Sequence, residues 1–269
     1  MTKTALITGA STGIGLDLAV LAARDGFDCI LVSRNEPRLH ELKKVLEKRY
    51  RVHVYVFALD LAEHHAATRL TEAIEDAGLT VDFLINNAGF GTSGEFIDLD
   101  AETEAEEVRL NVNTLTELTK AYLPDMVRRN YGYVLNVASI AAFQPGPYMA
   151  VYYATKAYVL SLTEALHAEV KGTGVNVSVL CPGPTDTGFF NRAGSEMMVS
   201  KMPSHLVAFF SYKGVMQNKR VIVPGVSNQL LVAAAKLMPR TVSLEILRRF
   251  QKPTDVGIEH APTDITESI

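Results

Sequence analysis

The sequence predicts an α/β fold in which helices cover both faces of a parallel β-sheet. Short apolar runs alternate with longer helical patterns along most of the chain, which favours strands joined by crossover helices. The apolar runs are nearly continuous rather than alternating with polar residues, as expected for strands that are buried on both faces. Both observations indicate a parallel sheet between two helical layers.

Six clear strands and a short seventh are expected. Their apolar runs lie at 5–7, 29–32, 52–59, 81–85, 133–137, 175–180 and 221–223. Helical patterns separate them, from about residue 13, from a cap at Asn35 to about residue 50, and over 62–77, 101–129 and 151–171. The 101–129 pattern has acids crowded in its first turns and arginines at its end, which suits the helix dipole.

One domain covering residues 1–250 accounts for this pattern. The periodicity weakens between 184 and 219, where large apolar residues accumulate, and we interpret this segment as a substrate lid inserted before the last strand. Its apolar members are Phe189, Phe190, Met197, Met198, Met202, Phe209, Phe210 and Met216. They either pack the core or form an adaptable apolar wall over a ligand. Residues 251–269 are expected to be a flexible tail.

The composition excludes several classes of protein. Asp and Glu number 30 against 26 Lys and Arg, so the chain lacks the basic excess of a nucleic-acid-binding protein. No apolar run reaches the ~20 residues needed to span a bilayer, and no signal peptide is expected. Cys29 and Cys181 lie in apolar runs without metal-ligand spacing, which indicates buried thiols and no metal site. A cytoplasmic protein is expected.

A glycine-rich segment joins the first strand to the first helix. Residues 8–15 read Thr-Gly-Ala-Ser-Thr-Gly-Ile-Gly, with glycines spaced Gly-x-x-x-Gly-x-Gly. Glycines at this place permit a tight turn and let a phosphate approach backbone N–H groups at the helix N-terminus. Such turns can also be purely steric, but the strand–helix context favours a dinucleotide cofactor.

The end of the second strand indicates which cofactor. An acidic residue there, roughly 20 residues past the glycines, would hold the 2′-hydroxyl of NAD. This chain has Ser33 and Arg34 instead. A guanidinium beside a hydroxyl suits a 2′-phosphate, so NADP(H) is preferred. The alternative is that Arg34 belongs to a basic helix face with Arg38, Lys43 and Lys44.

Residues 139–156 hold the elements of a proton-transfer site. Ser139 ends a strand-like run, and Tyr152 and Lys156 lie four residues apart in a helical pattern. That spacing places the phenol and the ammonium on one helix face, where the cation would lower the pKa of the phenol. Tyr153 also lies within helical reach of Lys156, so spacing alone does not choose between the tyrosines.

Several motifs in order, over roughly residues 3–190, resemble the short-chain dehydrogenases/reductases. The glycine-rich segment is similar to the family's cofactor loop, and Asn-Asn-Ala-Gly at 86–89 to its signature after the fourth strand. The pattern Tyr-Tyr-Ala-Thr-Lys favours Tyr152, with Tyr153 as a packing aromatic. Two departures are Thr12, where NADP-preferring members often have a basic residue, and Thr185, where an aliphatic residue is usual.

The resemblance implies a Rossmann-type, doubly wound parallel sheet of about seven strands. It implies carbonyl reduction, or alcohol oxidation, by catalytic Asn111, Ser139, Tyr152 and Lys156. Tyr152 would exchange the proton and Ser139 orient the carbonyl oxygen, while Lys156 holds the nicotinamide ribose and Asn111 anchors a water relay. The expected cofactor contacts, with Ser33 and Arg34 included, are Gly9, Ser11, Thr12, Gly13, Ile14, Gly15, Ser33, Arg34, Asp60, Leu61, Asn87, Ala88, Gly89, Tyr152, Lys156, Pro182, Gly183 and Thr187.

The expected substrate is an apolar ketone, such as a 3-oxoacyl thioester, a steroid-like ketone or a lipid intermediate. The resemblance also implies a homodimer or homotetramer. Two other functions stay open: a catalytically silent NADP(H)-binding scaffold or sensor, and an epimerase or dehydratase, whose relatives also use Tyr-x-x-x-Lys but are longer. The segment 244–250, apolar with two arginines, is a candidate contact for a second subunit or a membrane surface.

Overall fold

A seven-stranded parallel sheet forms the centre of the structure, a computed structural model that describes residues 2–187, Phe189 and 201–251. Its strands, in chain order, are β1 Thr4–Thr8, β2 Asp28–Ser33, β3 Val54–Ala58, β4 Phe83–Asn86, β5 Gly132–Val137, β6 Val175–Leu180 and β9 Val221–Ile222. They lie side by side in the order β3-β2-β1-β4-β5-β6-β9. The strand order reverses between β1 and β4, and ligands of such sheets bind at the carboxyl ends near this point.

Helices cover both faces of this sheet. They are α1 Gly13–Arg24, α2 Glu36–Tyr50, α3 Ala66–Asp76, α4 Ala101–Val108, α5 Leu115–Arg128, α6 Ala150–Glu169, α7 Ser204–Met216, α8 Val226–Leu237 and α9 Arg240–Gln251. A further two-stranded ladder joins β7 Thr185–Asp186 to β8 Met202–Pro203. The predicted fold class and the strand number are confirmed.

The alternation of side chains within β1 explains the continuous apolar runs. Ala5 and Ile7 pack on the face that carries Leu18 of α1. Leu6 packs on the opposite face with Leu70 of α3. Since each face meets its own helical layer, the three central positions of the strand are all apolar. Both cysteines are buried, as predicted.

Two predicted helices are corrected, one in its start and one in its continuity. The helix expected from residue 62 begins at Ala66, because Asp60 accepts a hydrogen bond from the Ala62 N–H at 2.9 Å and closes a turn. His65 then takes a left-handed φ of 58° before the helix begins. The long helix expected over 101–129 contains a π-helical segment, Arg109–Thr114, between α4 and α5. π-Helical segments often mark functional sites, and this one contains Asn111.

The segment assigned to the lid contains one packed helix. In α7, Val207, Tyr212 and Val215 are buried in the core beside α1. Phe209 and Phe210 of the same helix are nearly half exposed. Phe190, Met197 and Met198, also assigned to the lid, lie outside the described residues, as does the tail beyond Gln251.

Candidate active site

The glycine-rich loop depends on its glycines for backbone shape and for space. Gly9 and Gly13 have φ of +66° and +56°, the left-handed region that glycine tolerates best. A Cβ on Gly15 would lie 2.4 Å from the Gly9 carbonyl oxygen and 2.4 Å from Asn87 Nδ2. The loop must therefore pass this close to its own backbone and to the end of β4.

Hydrogen bonds join the ends of β1 and β4 beneath this loop. The Thr8 hydroxyl oxygen accepts from the backbone N–H groups of Asn87 and Ala88, at 2.9 Å each. Asn87 Nδ2 donates to the carbonyls of Thr8 at 2.9 Å and Gly9 at 3.3 Å. Asn87 and Ala88, both predicted cofactor contacts, thus lie directly beside the glycine loop.

The N-terminus of α1 is not capped by its own side chain. Thr12 occupies the capping position with extended backbone, and its hydroxyl makes no capping hydrogen bond. The first N–H groups of a helix lack intrahelical partners, and an anion at the helix N-terminus satisfies them. Together with the close glycine backbone, this arrangement fits the pyrophosphate of a dinucleotide.

Ser33 and Arg34 lie at the carboxyl end of β2, away from the proton-transfer residues. The Arg34 guanidinium is 3.3 Å from Asp60 Oδ2, and its side chain is 67% exposed. Ser33 Oγ accepts from the Asn35 N–H at 3.2 Å. Arg34 precedes the Asn35 cap of α2, so it does not belong to a basic face of that helix. Its guanidinium is shared between Asp60 and solvent.

Predicted cofactor contacts also lie on the loop after β6. The Ile140 N–H donates to the Pro182 carbonyl at 3.0 Å, which joins this loop to the segment after Ser139. At its other end, a Cβ on Gly13 would lie 2.8 Å from Thr187 Cγ2. Thr185 Oγ1 donates to the Gly183 carbonyl at 2.9 Å, so the unusual hydroxyl is used within the turn.

Tyr152 and Lys156 are both buried on α6, one turn apart. Lys156 Nζ donates to the Val137 carbonyl at 3.0 Å and lies 5.7 Å from the centre of the Tyr152 ring. Ser139 follows β5, and its side chain acts on the Tyr152 phenol, whose pKa it lowers. Its Oγ also accepts from the Ala141 N–H at 3.1 Å. The fold therefore brings the three predicted residues together.

Burial dominates the electrostatics of this pair. It raises the pKa of Tyr152 above its usual value, and the Ser139 hydrogen bond opposes that rise. Burial also lowers the pKa of Lys156 to about 8, while ionised Glu107 acts in the opposite direction. The pKa of Tyr152 is therefore raised, not lowered as expected, because desolvation of the phenolate is the largest effect on it.

The Tyr153 ring lies 6.2 Å from that of Tyr152, centre to centre, but its hydroxyl has a different partner. Gln251 of α9 donates a hydrogen bond from Nε2 to the Tyr153 hydroxyl. Gly146 packs against the Tyr153 ring. A Cβ at this position would lie 2.4 Å from two ring carbons, so there is no space for a side chain. These contacts fit the packing role expected of Tyr153.

Asn111 holds the loop that follows β4. Its Oδ1 accepts from the Phe90 N–H at 3.2 Å, and its Nδ2 donates to the Phe90 carbonyl at 2.8 Å. Nδ2 also donates to Thr155 Oγ1 on α6 at 3.1 Å. A Cβ on Gly89 would lie 2.8 Å from Asn111 Oδ1 and 3.3 Å from Lys156 Nζ. Asn111, Gly89 and Lys156 therefore converge at one point.

Asp60 and Leu61 lie at the end of β3. The Leu61 carbonyl accepts from Thr114 Oγ1 at 2.8 Å, which ties this corner to the π-helical segment. Leu61 itself is 4% exposed.

Sequence reasoning missed two parts of the site. Glu107 is fully buried beside Tyr152 and Lys156, and its place one turn before Asn111 was the available signal. The helix α9 is the second part, because Leu247 packs against the buried cluster that contains Tyr152 and Tyr153. The segment 244–250 thus reaches the site as well as the surface.

Among the described residues, no helix has the length and apolarity to cross a bilayer. Nor do three or more of their His, Cys, Asp and Glu side chains gather in a way that would hold a metal ion.

Comparison with known proteins adds the family. The model described as "short chain dehydrogenase" matches residues 3–198. The chain is also 33% identical over 185 residues to very-long-chain 3-oxoacyl-CoA reductase-B of Danio rerio, a match that covers 67% of this chain and 58% of that relative.

Solved structures agree with this assignment. A short-chain dehydrogenase from Sphingobium yanoikuyae in complex with NADPH has a TM-score of 0.79 at 32% identity, covering 92% of this chain and 93% of that one. A short chain dehydrogenase/reductase from Burkholderia phymatum in complex with NAD has a TM-score of 0.79 at 24% identity, covering 94% and 98%, and shows the shared fold. On the family match and this architecture, the chain belongs to the short-chain dehydrogenase family of oxidoreductases.

Proposed function

We propose that this oxidoreductase is an NADP(H)-dependent carbonyl reductase that acts on an apolar ketone, or oxidises the corresponding secondary alcohol. The observation that carries the proposal is the convergence of Ser139, Tyr152 and Lys156 in a buried site near the glycine-rich loop. An acid, an orienting hydroxyl and a cation are the groups that carbonyl reduction requires.

A nicotinamide cofactor, when bound, supplies the hydride for reduction and accepts it in oxidation. As negative charge develops on the carbonyl oxygen, the Tyr152 hydroxyl donates its proton to that oxygen. The Ser139 hydroxyl orients the same oxygen by a hydrogen bond. In oxidation, Tyr152 takes up the proton of the alcohol.

Lys156 stabilises the phenolate that Tyr152 becomes. Its Nζ is held by the Val137 carbonyl, and its own pKa of about 8 leaves it mostly protonated at neutral pH. Asn111 fixes the adjoining loop and, in this proposal, anchors the water through which Lys156 exchanges protons with solvent. The roles of all four residues are part of the proposal.

Arg34 supports NADP(H) over NAD(H). Its exposed guanidinium lies at the carboxyl end of β2, where a carboxylate would favour the 2′-hydroxyl of NAD. The Sphingobium structure in complex with NADPH agrees with this preference, whereas the Burkholderia structure in complex with NAD shows that the fold alone does not decide it. In the proposal, a 2′-phosphate competes with Asp60 for Arg34.

Apolar residues around Tyr152 support an apolar substrate. The Phe189 ring lies 5.3 Å from the Tyr152 ring, centre to centre. Met149 and Leu247 join the same cluster. The similarity to a very-long-chain 3-oxoacyl-CoA reductase supports 3-oxoacyl thioesters as the first candidates to test, with steroid-like and lipid ketones next. A homodimer or homotetramer and a cytoplasmic location stay predictions.

The test is oxidation of NADPH and NADH with a panel of apolar ketones and 3-oxoacyl thioesters. We expect turnover with NADPH, and Tyr152→Phe should lower kcat by at least about 100-fold, the contribution of a general acid, while retaining NADPH binding. Tyr153→Phe is the matched control and should stay active. Near-normal turnover by Tyr152→Phe would overturn the mechanism, and NADPH binding without turnover on any carbonyl would favour a silent scaffold.

A further inference from the structure

Glu107 is a fully buried carboxyl that the proposed reaction does not use. It lies on α4, one helical turn before Asn111. Its Oε2 accepts two hydrogen bonds from Thr92, from the backbone N–H and from the hydroxyl, at 2.9 Å each. Its Oε1 is buried without a hydrogen-bond partner among the described residues. A carboxyl in such surroundings requires an explanation.

The groups that face Glu107 come from three elements. Lys156 and Tyr152 of α6 interact with it electrostatically, and so does Glu104 on its own helix. The loop 89–92, which supplies Thr92, carries no charged side chain. Lys156 is therefore the only cation among the described groups that act on Glu107.

Thr92 connects Glu107 to the catalytic tyrosine. The preceding residue, Gly91, lies against the Tyr152 ring, where an added Cβ would be 2.6 Å from Cδ2. The loop 89–92, which packs against Tyr152, is thus held by hydrogen bonds to two side chains that lie one helical turn apart. Asn111 holds Phe90, and Glu107 holds Thr92.

We propose that Glu107 is a positioning residue for the proton-transfer pair. Through Thr92 it holds the loop 89–92 against the Tyr152 ring, and in its ionised form it keeps Lys156 in the ammonium state. This inference rests on the proposed function, because the proposed function is what assigns proton transfer to Tyr152 and Lys156.

The pKa values of the two groups agree with the geometry. Burial raises the pKa of Glu107 to about 7, and the Thr92 hydrogen bonds and Lys156 oppose the rise. Burial lowers the pKa of Lys156 to about 8, and Glu107 opposes that fall. Each group therefore favours the charged form of the other. Removing the carboxylate removes an attraction for the cation, so Lys156 must lose its proton at a lower pH.

The test compares the wild type with Glu107→Gln, whose amide oxygen can still accept from Thr92. In protein labelled with ¹³C-lysine, the carbon next to Nζ reports the ionisation of Lys156 by nuclear magnetic resonance, with Lys156→Met used to assign the signal. We expect the midpoint to fall by about one pH unit or more, the shift typical of a close opposite charge. The high-pH limb of kcat for reduction should move in the same direction.

Glu106→Gln is the matched control, because Glu106 is the same residue type, next to Glu107 but exposed. It should leave both profiles unchanged. An identical Lys156 midpoint in the wild type and Glu107→Gln would overturn the inference, even if the wild type reduces ketones. A shifted midpoint in a protein that reduces no carbonyl would instead leave the coupling standing and refute the proposed function.

If Glu107→Gln does not fold, Thr92→Val carries the same test. It removes one hydrogen bond that lowers the pKa of Glu107, so the carboxyl stays neutral to a higher pH. The Lys156 midpoint should again move down, by less than in the first variant. An unmoved midpoint in Thr92→Val would then count against the inference.

Discussion

Replacing Asn136 by alanine should remove a buried polar link between the sheet and α6. Asn136 is fully buried on β5. Its Oδ1 accepts from Asn86 Nδ2 at 2.9 Å, and its Nδ2 donates to Thr163 Oγ1 at 3.0 Å. Asn86 keeps a bond to Thr119 Oγ1, and Thr163 keeps one to the Val159 carbonyl, so each neighbour loses one of its partners.

The two lost hydrogen bonds contribute about 1 kcal/mol each, and the buried groups of Asn86 and Thr163 that lose a partner add part of their desolvation penalty. The expected loss in the free energy of unfolding is therefore about 2–4 kcal/mol. Urea unfolding at one fixed protein concentration measures this as a lower midpoint at unchanged slope. The matched control is Ser178→Ala on the neighbouring strand β6. Ser178 is equally buried, but its hydroxyl has no hydrogen-bond partner among the described residues, so its removal should cost little or be stabilising.

A loss of less than about 1 kcal/mol in the free energy of unfolding of Asn136→Ala, the net contribution of a single hydrogen bond, would refute this prediction. The prediction also fails if Ser178→Ala costs as much as Asn136→Ala. Either result would show that the network is not what holds this layer to the sheet.

Three further predictions follow from the site. Gly91→Ala should lower kcat more than NADPH affinity, because the added Cβ would lie 2.6 Å from the Tyr152 ring. Steady-state kinetics measures kcat, and fluorescence titration measures the affinity for NADPH. Equal losses in kcat and in affinity would argue against this prediction. Arg34→Ala should weaken NADPH binding about 10–100-fold and leave NADH binding unchanged, the loss expected for hydrogen bonds to a charged group; parallel weakening of both cofactors would contradict the assignment. The rate of reduction should fall above about pH 8, because the Lys156 ammonium is present below its pKa and lost above it. A rate that does not change up to about pH 10 would refute this. Tyr153→Phe is the control variant and should have the same pH profile as the wild type.

Local sequence patterns correctly predicted the strands, the shared helix face of Tyr152 and Lys156 and the Asn35 cap. The apolar runs predicted the seven strands of the sheet because each strand is buried on both faces. The spacing of Tyr152 and Lys156 predicted a shared face because both lie on one helix. The Asn35 cap was also identified, and its side chain accepts from the Arg38 N–H at 3.2 Å. Each of these features depends on neighbours within a few residues.

Features that depend on distant contacts could not be predicted in the same way. Glu107 lies in a run of acids that suits the start of a helix, and its place one turn before Asn111 is too weak a signal to show that this acid, unlike the adjacent Glu106, is buried. Position 109–114 has no pattern that distinguishes a π-helical segment from an α-helix. The balance at Tyr152 was also misjudged, because the degree of burial that raises its pKa comes from the whole fold.

The bond between Gln251 and Tyr153 joins residues 98 positions apart in the chain. During synthesis the glycine-rich loop and α6 leave the ribosome before α9 does. Tyr153 therefore gains its partner only after all seven strands of the sheet have been made. The order of synthesis thus separates the formation of the sheet from the packing of α9 against Tyr153.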